Sequence, residues 1–199
     1  ADLDGDGKQE AILGTAYYWW TCVNPDGSKR WRYRTGGGPG ANAIGAGDLD
    51  GDGKLEVVFG GADTSVQAAG NGGERLWQFN TGDEVTAVHC LDTDGNGTAE
   101  VLVTSLSFSA YCLSGAGELV WQRDLGSPIV AGCLGDLGER QVVVAGCANG
   151  SVLVLNAQSG VPLARGDAGT AVVDMAVAGT TLAVSTSGGK LVVFDLIAE

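Results

Sequence analysis

Three short stretches hold most of the chain's chemically capable side chains. They read Asp2-Leu-Asp-Gly-Asp-Gly-Lys-Gln-Glu10, Asp48-Leu-Asp-Gly-Asp-Gly-Lys-Leu-Glu56 and Asp92-Thr-Asp-Gly-Asn-Gly-Thr-Ala-Glu100, separated by steps of 46 and 44 residues. Each puts oxygen-bearing side chains at positions 1, 3 and 5, a glycine at position 6 where the backbone must turn sharply, and a Glu at position 9. Clustered hard oxygens on a tight turn suit a hard divalent cation, and calcium above all.

The assignment follows from position. Asp2, Asp4, Asp6 and Glu10 are expected to hold one Ca²⁺, with Asp48, Asp50, Asp52 and Glu56 on a second and Asp92, Asp94, Asn96 and Glu100 on a third. The backbone carbonyls of Lys8, Lys54 and Thr98 fill position 7. An EF-hand uses the same logic but closes with Glu at position 12 between helices; here the Glu comes at 9 and the flanks, such as Glu56-Val-Val-Phe59, are β-type runs. About three ions per chain are expected, bracing the fold.

Stepping outward, a second signature keeps the same period: a glycine followed four residues later by tryptophan, in Gly27-Ser-Lys-Arg-Trp31, Gly73-Glu-Arg-Leu-Trp77 and Gly117-Glu-Leu-Val-Trp121. Within one unit, strands are predicted over Ala43 to Gly47, Glu56 to Gly60, Ser65 to Ala69 and Arg75 to Phe79. Four short strands in about 44 residues is the period of a β-propeller blade. The fold class is therefore all-β, a propeller of four-stranded antiparallel blades, with about four and a half blades at approximately 1–36, 37–82, 83–126, 127–168 and 169–199 forming a single domain or segment. Blade one lacks its first strand. Blade four has a shortened loop, Gly135-Asp-Leu-Gly-Glu-Arg-Gln141, and Ala164 in place of the tryptophan, so no ion is expected there. The tail supplies three more strands over Val172 to Val177, Leu182 to Ser185 and Leu191 to Leu196.

Composition bounds the function. The 199 residues suit one domain, and 34 Gly with 44% hydrophobic residues fit many short strands with tight turns and exclude disorder. Eleven of the 24 acidic residues lie in the three loops, and three divalent ions would offset six of the thirteen net negative charges. There is no basic patch for nucleic acid and no apolar run of membrane-spanning length. The chain begins at Ala1, inside a loop and without Met, which leads to the expectation of a processed product or a piece of a ring of six to eight blades; a closed five-bladed ring is the alternative. The five cysteines, an odd number, read as small buried strand residues, with a Cys90–Cys133 disulfide as the other option.

With these motifs in view, the acidic loops resemble the calcium loops of FG-GAP/VCBS repeats, the propeller type of integrin α-subunits, and Phe59-Gly-Gly-Ala62 is the nearest match to that family's naming element. The Gly-x-x-x-Trp turns are similar to PQQ-like repeats, whose tryptophans dock neighbouring blades. The first resemblance implies an extracellular, cell-surface or periplasmic adhesion and ligand-binding scaffold; the second implies a quinoprotein dehydrogenase or a non-catalytic assembly scaffold. The expectation is a non-enzymatic scaffold with a protein or glycan partner. The alternatives are the propeller portion of a secreted enzyme, either a polysaccharide lyase or a quinoprotein dehydrogenase, and a calcium-dependent lectin.

Few residues remain for catalysis. His89, the single histidine, is expected as a packed or solvated strand residue rather than a catalytic one, and no Ser-His-Asp set assembles around it. Tyr17-Tyr-Trp-Trp20 is expected on a strand that buries two aromatics and exposes two, Arg165-Gly-Asp167 in a turn between blades, and Asn149-Gly-Ser151 as a sequon in a turn.

Overall fold

A computed structural model of the chain describes residues 1–15, 17–35 and 42–196. Its ordered elements are strands alone: β1 (Ala11–Gly14), β2 (Trp19–Val23), β3 (Lys29–Arg34), β4 (Ala43–Gly47), β5 (Glu56–Gly60), β6 (Ser65–Ala69), β7 (Arg75–Asn80), β8 (Val85–Leu91) and β9 (Glu100–Ser105). They continue as β10 (Ser109–Leu113), β11 (Leu119–Asp124), β12 (Ile129–Leu137), β13 (Arg140–Cys147), β14 (Ser151–Asn156), β15 (Pro162–Asp167), β16 (Val172–Ala178), β17 (Thr181–Thr186) and β18 (Leu191–Asp195).

The strands make five antiparallel up-and-down sheets in chain order: β1-β2-β3, β4-β5-β6-β7, β8-β9-β10-β11, β12-β13-β14-β15 and β16-β17-β18. The first and last have three strands and the middle three have four, as expected for blades. The expected boundary between blades one and two, at residues 36 and 37, lies outside the described residues, as does the end of blade five at 199.

Why these runs pair as they do follows from what covers them. The middle strands β5, β6, β9 and β10 are buried along their whole length, because each sheet has a neighbour on both faces; their sequences, such as Glu-Val-Val-Phe-Gly and Ser-Ala-Tyr-Cys-Leu, are accordingly near-continuous small and apolar. The outer strands β7 and β11 are mostly exposed and mix charged with apolar residues. Every pairing of an outer strand with its inner neighbour in sheets one to four has a register shift, at Cys22/Val23, Ala68/Ala69, Cys112/Leu113 and Val154/Leu155. Such bulges increase the local twist.

Four hydrophobic cores lie between successive sheets. Leu3, Trp20, Trp31, Tyr33, Val57 and Phe59 join sheets one and two; Val58, Val66, Val88, Val103 and Tyr111 join two and three; Leu102, Cys112, Trp121, Val143 and Leu155 join three and four; and Val144, Val154, Met175, Leu182 and Val184 join four and five. Among the described residues no fifth core joins sheet five to sheet one, so the sheets form an open arc rather than a closed ring. Small residues let the innermost strands approach: a Cβ on Gly47 of β4 would stand 2.6 Å from Cys90 Cβ of β8.

Two local expectations are corrected. Arg165-Gly166-Asp167 lies on strand β15 instead of in a turn: Gly166 pairs with Val152, and Arg165 Nη2 donates to Ser151 Oγ at 2.8 Å. The aromatic run does not alternate two in and two out. Trp20 is buried, Trp19 half-buried, and Tyr17 and Tyr18 exposed, because Tyr18 has φ 61° and strand pairing starts only at Trp19.

Candidate metal centres

The loop between β4 and β5 shows how the acidic motif folds. The strands pair up to Gly47↔Glu56, so residues 48–55 must reverse the chain and satisfy their own amides. Asp48 accepts from Gly51 N and Gly53 N at 2.7 and 2.9 Å, Asp50 Oδ1 from Asp52 N at 3.1 Å, and Asp52 Oδ1 from Lys54 N at 2.8 Å. Glu56 Oε2 reaches back to Leu49 N at 2.9 Å. Gly51 and Gly53 both have φ near +80°, at 81° and 82°, a conformation costly for any side chain.

The other two loops repeat this pattern. Asp2 accepts from Gly5 N and Gly7 N, and Asp92 from Gly95 N and Gly97 N. Asp4 and Asp94 each accept from the residue two ahead, as do Asp6 and Asn96, which take the Lys8 and Thr98 amides. Glu10 Oε2 takes Leu3 N at 2.8 Å, and Glu100 Oε2 takes both Thr93 N and Thr93 Oγ1. The closing Glu is buried in each loop, at 5%, 5% and 7% exposure for Glu10, Glu56 and Glu100.

These cages leave carboxylate oxygens converging. One oxygen each from Asp2, Asp4 and Asp6, from Asp48, Asp50 and Glu56, and from Asp92, Asp94 and Glu100 lie within 4.8 Å of one another. Oxygens on opposite sides of one calcium ion, each at roughly 2.3–2.6 Å from it, would stand about that far apart. Asp52 Oδ2 lies 3.4 Å from Lys54 Nζ and Asp6 Oδ2 3.1 Å from Lys8 Nζ, and of these two only Asp6 also contributes an oxygen to its converging cluster.

Electrostatics agrees with the geometry. Burial pushes the Glu56 carboxyl above its ordinary range, and the nearby Asp50, Asp52 and Asp48 push it further, against the Leu49 hydrogen bond. Asp92 is held below the usual range, chiefly by the Gly97 amide. The donor sets therefore fit a calcium ion. Asp48, Asp50 and Glu56 would hold one and Asp92, Asp94 and Glu100 another, with Asn96 adjoining; a bound ion would supply the positive charge that these clusters lack.

Successive loops are also tied to one another, which the sequence did not reveal. Leu55 N donates to Leu3 O at 3.1 Å, and Ala99 N to Asp48 O at 2.7 Å. In each case the residue just before one loop's closing Glu binds the main chain of the preceding loop. Blade four has no such loop: Asp136↔Gln141 and Leu137↔Arg140 pair in a tight hairpin, with Gly138 at φ 66°.

Away from the loops the chain offers little reactive chemistry. His89 Nε2 lies 3.3 Å from Gly132 O between β8 and β12, and burial pushes its pKa down. All five cysteines are free thiols, so Cys90 and Cys133 are not joined. Burial raises Cys90 and Cys112 to about 12 and Cys133 and Cys147 to about 11, far from a reactive thiolate.

The five stacked antiparallel sheets define the fold as a β-propeller. Residues 2–59 match the family described as FG-GAP-like repeat, and residues 81–163 match the lambda-carrageenase β-propeller domain. No curated protein sequence matches the chain. Among solved structures, BamB from Moraxella catarrhalis is similar at 20% identity and TM-score 0.70, over 98% of this chain and 59% of its own. BBS1N, in a complex with ARL6DN, is similar at 17% identity and TM-score 0.73, over 97% of this chain and 62% of its own. The computationally designed Ika4 protein is similar at 18% identity and TM-score 0.63, over 79% of this chain and 91% of its own. The chain thus spans about three fifths of the BamB and BBS1N chains, and at these identities the likeness is one of fold.

Proposed function

We propose that this chain is a calcium-braced β-propeller module that binds a protein partner and performs no catalysis of its own, working outside the cytoplasm. The observation that carries the reading is the threefold recurrence of one hydrogen-bonded cage with carboxylate oxygens gathered within 4.8 Å. Such clusters repel themselves unless a cation compensates them, and a calcium-rich extracellular or periplasmic setting supplies one. A protein partner is in keeping with BBS1N, a propeller held in complex with ARL6DN. The test is retention of a candidate partner on immobilised chain in millimolar calcium and its release by chelator; retention indifferent to chelator would count against calcium-braced binding.

A second reading is favoured by the match of residues 81–163 to a carrageenase propeller: the module would belong to a secreted polysaccharide-degrading enzyme. Depolymerisation of carrageenan by the purified chain, followed as released reducing ends, would favour this reading over the scaffold.

A further inference from the structure

The first acidic loop differs from the other two in what stands against it. Arg30 of β3 places Nη1 2.7 Å from Asp4 Oδ2 and 4.0 Å from Glu10 Oε1, with the arginine side chain 22% exposed and that of Glu10 2%. Its Nη2 donates to Asn71 Oδ1, and Asn71 Nδ2 donates to Leu3 O, so the guanidinium is anchored across to blade two. We propose that Arg30 is the resident counter-ion of the first loop, so that this chain takes calcium at its second and third loops and not at the first.

This inference rests on the calcium reading of the loops and narrows it. In loops two and three the closing Glu contributes an oxygen to the converging cluster, whereas in loop one the cluster is Asp2, Asp4 and Asp6, and Glu10 instead faces Arg30. An ion bridging Asp4 and Glu10 would have to sit beside a guanidinium hydrogen-bonded to Asp4 and 4.0 Å from Glu10 Oε1. The position before each signature tryptophan explains the difference: Arg30 in blade one corresponds to Leu76 in blade two and Val120 in blade three, both apolar and about half exposed at 46% and 53%. The lysines do not discriminate, because Lys8 and Lys54 make the same exposed pairs with Asp6 and Asp52. Burying a charge is tolerated only with a partner, and among the described residues Glu10 has a cationic side chain within 4.0 Å where Glu56 and Glu100 have none.

The experiment counts ions on the full chain, stripped of metal and titrated with calcium alone, by calorimetry and by native mass spectrometry. Wild type should take two ions, Arg30→Leu three, and Leu76→Arg one. Three ions on wild type, or two on a folded Arg30→Leu variant, would overturn the proposal while leaving the calcium reading in place. Should Arg30→Leu fail to fold, Leu76→Arg decides, and an unchanged count there overturns the proposal. No ion on any of the chains would overturn the calcium reading and this inference with it.

Discussion

The indole of Trp77 lies directly beneath Gly117: a Cβ on that glycine would stand 2.6 Å from the ring, while Trp77 Nε1 donates to Gly115 O at 2.8 Å. The same contact joins Trp31 to Gly73 and Trp121 to Gly160. Each signature tryptophan therefore docks on the signature glycine of the next blade, and the two motif residues form an inter-blade joint rather than a contact within one turn.

Gly117→Ala should destabilise the chain by about 2–3 kcal/mol, combining a positive φ of 81° with the clash against Trp77. Gly27→Ala is the control. It has φ 82° but nothing within 4 Å of the added methyl, so its cost should be about 1 kcal/mol. Denaturant unfolding of the two variants checks this, and equal costs would show that the docking contact is not what the glycine serves.

The three tryptophans are not equivalent in hydrogen bonding. Trp121 Nε1 donates to Ala157 O at 3.0 Å, whereas Trp31 Nε1 is buried without a partner among the described residues. Trp121→Phe should therefore cost about 1 kcal/mol more than Trp31→Phe, since only the first loses a bond and strands a carbonyl. Chemical denaturation of both variants measures the difference.

Glu56 gives a pH prediction with a definite sign. Its folded pKa is raised by burial and then by Asp50, Asp52 and Asp48, so the metal-free folded state binds a proton more readily than the unfolded chain. That stability is fully present below the unfolded carboxyl pKa and is lost as pH rises through the raised folded value. In chelator, wild type should thus weaken as pH rises through the raised folded pKa of Glu56, and Glu56→Gln should weaken less. In calcium near neutral pH the order reverses, because the variant has lost a ligand oxygen. Melts across pH with and without chelator read both effects.

Much of this was legible in the sequence because the relevant signals are periodic. The bounds of β4, β5 and β6 coincide with the apolar runs between glycine-rich turns, and the loop cages follow from Asp and Gly at fixed offsets. Relations between repeats were not legible. Nothing in the spacing shows that Asp48 O would accept from Ala99 N, or that Arg30 on β3 would reach Asp4, 26 residues earlier. The Arg-Gly-Asp tripeptide misled for the opposite reason: a glycine usually signals a turn, but Gly166 lies in β15 where the Phe194 ring packs against its backbone.

The Ala99–Asp48 bond leads to a prediction about coupling. Losing an ion from loop two should loosen loop three through this main-chain tie. In Asp50→Ala, hydrogen exchange at the Ala99 amide should speed up even though Asp92, Asp94 and Glu100 are unchanged. Exchange at wild-type rate would show the loops to be independent.

The central claim, that calcium bound at the second and third acidic loops braces the blades, is tested most directly by a thermal melt in millimolar calcium and again after chelation, with bound metal counted on the same sample. A ligand present at 100 times its Kd adds about 2.7 kcal/mol per site, so the account predicts bound calcium and a fall in Tm of several degrees on chelation. Identical melts and no bound metal would contradict it, leaving strand packing and the tryptophan–glycine joints as all that holds the blades together.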